Sequence, residues 1–259
     1  MNILITNDDG IEAKGIRELT RAMAEIGNVY VFAPDGQRSA TGHSITIIKP
    51  VSVERVWVSE AGDGMAYKTS GTPADCVKMG LEILREQGIS VDLVVSGINH
   101  GSNLGTDVHY SGTVSAAIEG ALNKIPSIAV SVEEQKPEHF EVAAEMAAKI
   151  ASHAHRRLSP QTVLNMNVPD LPKEAIRGIR LTRLGPREYN EWFESQIVDG
   201  EEQFRYSGAP VIYEGLPEEM DVMAAQNGYI TITPLQLDLT DHELRKEMGS
   251  WGLETLLMK

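Results

Sequence analysis

Between residues 2 and 157 the chain alternates two kinds of segment. Short apolar runs rich in β-branched residues recur at 2–7, 28–34, 92–97 and 127–132. Between them lie stretches with apolar residues at helical spacing, such as Ile16, Leu19, Met23 and Ile26 within 12–26. Runs apolar on both faces belong in the middle of a covered sheet, and strands alternating with helices join into a parallel one. The pattern predicts an α/β fold: a Rossmann-like, mostly parallel sheet with helices on both faces. Further strands are expected near 51–58 and 66–69, and further helices over 113–124 and 137–157. Another helix should start at Pro73, which suits the first helical position with Thr72 as its cap.

After about residue 160 strands dominate, at 162–168, 178–184 and 228–235, with a hairpin across 192–214 and a closing helix near 241–249. The 185–225 stretch is acidic and carries Trp192, Phe193, Phe204, Tyr206 and Tyr213, with little sign of a core of its own. It reads as an arm that packs on another subunit; a loose surface excursion is the alternative. Residues 1–259 read as a single domain, Rossmann-like over 1–160, with the remaining strands, the arm and a C-terminal tail over 161–259.

Acids outnumber bases 37 to 23, a formal charge of −14. That argues against a nucleic-acid polymer as partner, which needs a basic face. A phosphate-bearing ligand would need positive charge from outside the side-chain inventory. The one cysteine, Cys76, excludes an internal disulfide and fits a reducing cytoplasm. No basic stretch followed by a long apolar run marks a secretion signal, and the apolar run at 91–98 is too short and interrupted to span a membrane.

Polar chemistry collects at the predicted carboxyl edge of the sheet, where open α/β sheets bind ligands. Four segments dense in glycine, hydroxyls and amides meet that edge: Asn7–Gly10, the loop 36–44, Ser70–Pro73 and 96–103. Asp8 and Asp9 stand side by side, with no Lys or Arg within four residues. Adjacent buried carboxylates repel unless a cation lies between them, and hard oxygen ligands suit Mg²⁺, Mn²⁺ or Ca²⁺. A turn at Asp9-Gly10 with Asp8 as a helix cap is the plainer reading. The Ser39 hydroxyl and the Asn99 and Asn103 carboxamides would complete an octahedron, or each would simply satisfy loop backbone.

The run Ser111-Gly112-Thr113 opens a helix of small residues and reads as an anion cradle, its free N–H groups and helix dipole facing a phosphate. An ordinary helix cap is the alternative. Neither the P-loop signature nor a GxGxxG after the first strand is present, and no G-x-S-x-G elbow appears. His43, His100 and His109 fall in or beside these loops and could act as acids or bases. Each is first read as a structural hydrogen-bonder, Lys78 as a salt-bridged lysine and Cys76 as core.

The segments ILITNDDGI, APDGQRSATGHSIT, SGTPADCVK and SGINHGSNLGTDVHYSGTVSAAIEGAL, spanning 3–121, resemble the SurE survival-protein family; NVP at 167–169 and GYITITPLQLDLTDHE are similar to its later landmarks. The resemblance implies a Rossmann-like fold and a metal-dependent phosphatase acting on nucleoside 5′- and 3′-monophosphates, in some relatives on short polyphosphate. It implies one divalent ion, Mg²⁺ or Mn²⁺, held by Asp8, Asp9, Ser39 and Asn99, with phosphate contacts from Asn103, Ser111, Gly112 and Thr113. It also implies a homodimer or homotetramer built through a protruding hairpin and an exchanged tail. Ala40 departs from the glycine frequent in relatives, a change expected to leave Ser39 little altered.

The expected chemistry is phosphomonoester hydrolysis by metal-activated water, with Asp8 or Asp9 orienting the water or taking its proton. A receiver-like Mg²⁺-binding domain or a nucleotide-binding module without phosphatase activity is the rival reading.

Overall fold

The computed structural model describes residues 1–256 apart from Asp63 and Gln135. In chain order its strands are β1 (Asn2–Thr6), β2 (Asn28–Pro34), β3 (Val53–Val56), β4 (Met65–Thr69), β5 (Leu93–His100), β6 (Ser127–Val132), β7 (Val163–Val168), β8 (Ile179–Leu181), β9 (Tyr189–Val198), β10 (Glu201–Pro210) and β11 (Ile230–Leu235). Its helices are α1 (Lys14–Ala24), α2 (Pro73–Glu86), α3 (Gly112–Leu122), α4 (Phe140–Ala154), α5 (Asp221–Gln226) and α6 (His242–Met248).

Nine strands form one sheet in the order β3-β4-β2-β1-β5-β6-β7-β11-β8, parallel except where β3 meets β4 and β11 meets β7. The central strands are buried on both faces: Ile3, Leu4, Ile5, Leu93, Val94 and Val95 expose no surface. Each such Ile or Leu contributes about 2 kcal/mol of apolar burial. Helices α1 and α4 pack together and cover the face bearing Ile3 and Ile5; α2 and α3 pack on the opposite face, with Leu4 and Phe32. The chain runs outward from β1 to β2 and β4, then returns to β5 on the other side of β1. The topological switch therefore lies between β1 and β5, paired through Thr6 and Ser96. A crevice opens there at the carboxyl ends.

Local chemistry explains where the elements start. Thr72 caps α2 through a reciprocal box with Asp75, and Pro73 occupies its first turn. Helix α4 is shorter than the expected 137–157. Its start is set from a distance: Asp170, just past β7, accepts the N–H groups of Glu138 and His139 at 2.8–3.1 Å. Strand β8 is likewise cut to three exposed residues. Inside the stretch read as an arm, Asp221–Gln226 forms instead a short helix whose first five residues are buried.

The hairpin β9–β10 pairs only with itself within the described sheets. Trp192, Ile197 and Phe204 on it remain largely exposed. Among the described residues no helix is long and apolar enough to cross a membrane.

Candidate active site

Two cavities matter for locating the chemistry. One, of about 680 Å³, lies on the outer helical surface between α1 and α4 and gathers no polar loop. The other, of about 1030 Å³, opens at the carboxyl edge of β1 and β5 and is lined by Asp8, Ser39, Asn99, Asn103 and Ser111 among others. Three of the four polar segments predicted to converge line this second cavity. The fourth, Ser70–Pro73, does not. It braces the 36–49 loop from behind: Thr72 Oγ1 donates to the Ser44 carbonyl at 2.7 Å, and Asp75 accepts the Thr46 N–H at 3.0 Å.

Asp8 follows β1 and is 6% exposed. Its Oδ1 accepts a 2.5 Å hydrogen bond from Thr113 Oγ1 in the first turn of α3. A Cβ on Gly112 would meet Asp8 Cβ and Oδ2 at 2.9 Å, so glycine lets the carboxylate sit against the helix start. Burial pushes the Asp8 carboxyl up to about 6; the Thr113 hydroxyl opposes that shift and the Asp9 charge adds to it. Burial raises Asp9 as well, against the pull of His100. The Asp9 Oδ2 accepts the His100 N–H at 3.3 Å, and the His100 Nδ1 stands 3.9 Å from Oδ1. Among the described residues neither carboxylate has a Lys or Arg partner.

Asn99 is the penultimate residue of β5, beyond a bulge that shifts its register against β6. Gly97 is needed there, because a Cβ would lie 2.3 Å from the Val130 carbonyl oxygen. Asn99 donates Nδ2 to the Gly101 carbonyl at 2.8 Å, and among the described residues its Oδ1 has no donor. Ser39 is exposed and lines the same cavity. Its neighbour Ala40 holds a left-handed backbone, φ +52°, the region glycine prefers. The loop is tied down four residues later: His43 Nε2 lies 3.0 Å from Oε2 of buried Glu119, whose Oε1 accepts Lys78 Nζ at 3.0 Å. His43 is thus a hydrogen-bonder and Lys78 a salt-bridged lysine, as expected. Cys76 is core: burial pushes its thiol up to about 12.

Asn103 is 6% exposed and fixed by a polar cluster under the cavity. Its N–H donates to Asn167 Oδ1 at 2.7 Å, its Nδ2 to Ser131 Oγ at 2.8 Å, and its carbonyl accepts from Asn165 at 2.8 Å. Sequence reasoning passed over Asn165 and Ser131 as supports. The signal was available: two amides at alternate positions of an otherwise apolar strand must find partners. Ser111 is the cap of α3, its Oγ accepting the Val114 N–H at 3.0 Å, and it also lines the cavity. Thr113 spends its hydroxyl on Asp8. His109 is exposed beside the cavity mouth.

A hard dication fits this donor set. The buried Asp8 carboxylate shares one cavity with the Asn99 amide oxygen and the Ser39 hydroxyl, and Asp9 adjoins Asp8 in the chain; among the described residues neither carboxylate has a Lys or Arg partner. Among the described residues no group of three His, Cys, Asp or Glu side chains converges, so neutral oxygens must complete any coordination.

The family described as "Survival protein SurE" matches residues 3–191. This chain belongs to the SurE family. A protein named 5′-nucleotidase SurE from Syntrophomonas wolfei is 45% identical over 94% of this chain and 92% of its own length. One from Synechococcus sp. (strain JA-3-3Ab) is 43% identical over 98% of each. The crystal structure of the SurE protein from Aquifex aeolicus superposes with a TM-score of 0.84, at 37% identity, covering 97% of this chain and 99% of that one. The SurE fold therefore extends through the C-terminal strands and the hairpin, beyond the segments that carry the sequence resemblance most densely.

Proposed function

We propose that this chain is a 5′-nucleotidase that hydrolyses the phosphomonoester of nucleoside monophosphates with the help of one divalent ion, Mg²⁺ or Mn²⁺. The observation that carries the reading is the adjacent pair Asp8 and Asp9: among the described residues neither has a Lys or Arg partner, and Asp8 is buried against the start of α3. Asp8, Asp9, Ser39 and Asn99 would hold the ion. When bound, it would supply positive charge to the phosphoryl group and acidify a bound water.

The chain's own groups do the rest. The first N–H groups of α3 at Gly112 and Thr113, the Ser111 hydroxyl and the Asn103 carboxamide face the phosphoryl oxygens and stabilise charge building on them. Asp8 or Asp9 orients the attacking water and takes its proton. Thr113 and the His100 N–H hold those carboxylates in place. This answers the charge puzzle of an acidic protein that grips an anion. The same site would admit nucleoside 3′-monophosphates and the end of a short polyphosphate.

The exposed aromatic hairpin and the tail around α6, which buries none of its residues, favour a homodimer or homotetramer built through both. The hairpin and tail would serve as oligomerisation elements of a single-domain chain whose catalytic part is residues 1–160. One buried thiol suits a reducing cytoplasm.

Phosphate release from AMP, assayed before and after EDTA and again after Mn²⁺ is returned, tests the reading. Release lost to EDTA and restored by Mn²⁺ is expected. Release indifferent to EDTA would sink the metal, and no release would sink the enzyme.

A further inference from the structure

The cavity is far larger than a phosphate needs, and part of its lining is built from different material. Asp107, Tyr110, Arg187 and Tyr189 belong to the lining. Asp107 lies one turn before Ser111, whose N–H donates to the Asp107 carbonyl at 3.1 Å. Its carboxylate is clamped from the root of the hairpin. Arg187 Nε donates to Oδ2 at 3.3 Å and the Tyr189 hydroxyl to the same Oδ2 at 2.5 Å. Both donors land on one oxygen, and among the described residues Oδ1 has no donor, on a residue that lines the cavity.

The clamp is itself immobilised. Thr106 Oγ1 donates to the Arg187 carbonyl at 2.7 Å. Fully buried Asp221 accepts the N–H groups of Gly105 and Gly185, each at 2.8 Å, and so locks the two segments together. A preset carboxylate oxygen with open lone pairs selects hydroxyl donors and repels a second phosphate. The donors nearest the phosphate of a nucleotide are the hydroxyls of its sugar. Tyr110, 68% exposed between Asp107 and Ser111, offers a ring face for the base.

We propose that Asp107 Oδ1 is the sugar subsite, taking the 2′- and 3′-hydroxyls of a nucleoside 5′-monophosphate, with Arg187 and Tyr189 as its positioning residues. Carboxylates hold ribose hydroxyls in the same way in dinucleotide-binding folds. The assignment rests on the nucleotidase reading above and adds what the enzyme recognises beyond phosphate. It also makes the hairpin root part of the site.

The test compares kcat/KM for AMP and for 2′,3′-dideoxy-AMP in the wild-type protein, in Asp107→Ala and in Tyr189→Phe. A lost hydrogen bond to a charged group is worth roughly tenfold or more, so wild type should favour AMP by that factor. The preference should fall toward one in Asp107→Ala and to an intermediate value in Tyr189→Phe. A role confined to anchoring the hairpin would lower both substrates together and leave the ratio alone. Equal rates in wild type overturn the subsite even if the alanine variant does not fold. A preference that survives in Asp107→Ala does the same. Failure of wild type to release phosphate from either nucleotide removes the parent reading and the subsite with it.

Discussion

Thr113 Oγ1 donates a 2.5 Å hydrogen bond to Asp8 Oδ1, joining the first turn of α3 to the end of β1. The two residues are 105 apart in sequence, and the bond fixes which way the carboxylate points into the crevice. Thr113→Val keeps the shape and removes the donor; Thr113→Ser keeps the donor. A charge-assisted bond of this kind contributes about 1.5–3 kcal/mol. Turnover of AMP in Thr113→Val should fall roughly tenfold or more, while Thr113→Ser should stay within about threefold of wild type. Steady-state kinetics of both variants decide it; equal losses would mean that Thr113 matters for packing alone.

Gly112 adopts ordinary helical geometry, so its need is steric rather than conformational. An added Cβ would come within 2.9 Å of Asp8 Cβ and Oδ2 and 3.1 Å of Thr41 Oγ1. Gly112→Ala must push the carboxylate off the helix start. The alanine also favours helix by about 1 kcal/mol, so stability should change little. Activity should drop by about 10². The outcome that contradicts this is a folded Gly112→Ala protein with near wild-type phosphate release.

Much of this was legible in the sequence, for a physical reason. The β1, β5 and β6 runs are apolar on both faces, and few folds can bury them except a covered parallel sheet. That alone places NDDG and SGIN at one edge of the sheet. Local capping likewise announced α2, because Thr72, Pro73 and Asp75 are neighbours. Elements whose limits depend on distant partners were not legible. Helix α4 starts where Asp170 accepts its N–H groups, and α5 forms because Asp221 bridges Gly105 and Gly185. The Asp107 clamp was hidden for the same reason: its donors arrive from 80 and 82 residues away. Sequence spacing shows one face of an element, not what packs against it.

Ala40 is a test of local strain beside Ser39. Its φ of +52° lies in the left-handed region, which costs an L-residue about 1–2 kcal/mol relative to glycine. Glycine loses about 0.4–1 kcal/mol through the greater freedom of the unfolded chain. Ala40→Gly should therefore raise stability by roughly 0.5–1 kcal/mol. Urea midpoints of the two proteins measure it. A lower midpoint in the glycine variant would show that the alanine methyl has packing that outweighs the strain.

Glu133 directly follows β6, with Oε1 buried and, among the described residues, without a hydrogen-bond partner. Burial pushes its carboxyl from 4.5 up to about 7, with the Arg187 charge opposing and Glu134 adding. Between those values the folded protein binds more protons than the unfolded chain, so stability falls as pH rises through the window. The stabilisation is complete below about 4.5 and gone above about 7, a change on the order of 3 kcal/mol. Glu133→Gln removes the titration and keeps the shape. Relative to wild type, the glutamine variant should therefore gain thermal stability at pH 8 compared with pH 5. Unfolding curves at the two pH values check the sign. If the difference in Tm between the two proteins is the same at both, Glu133 is already ionised in the fold, with the Arg187 guanidinium as its counter-charge.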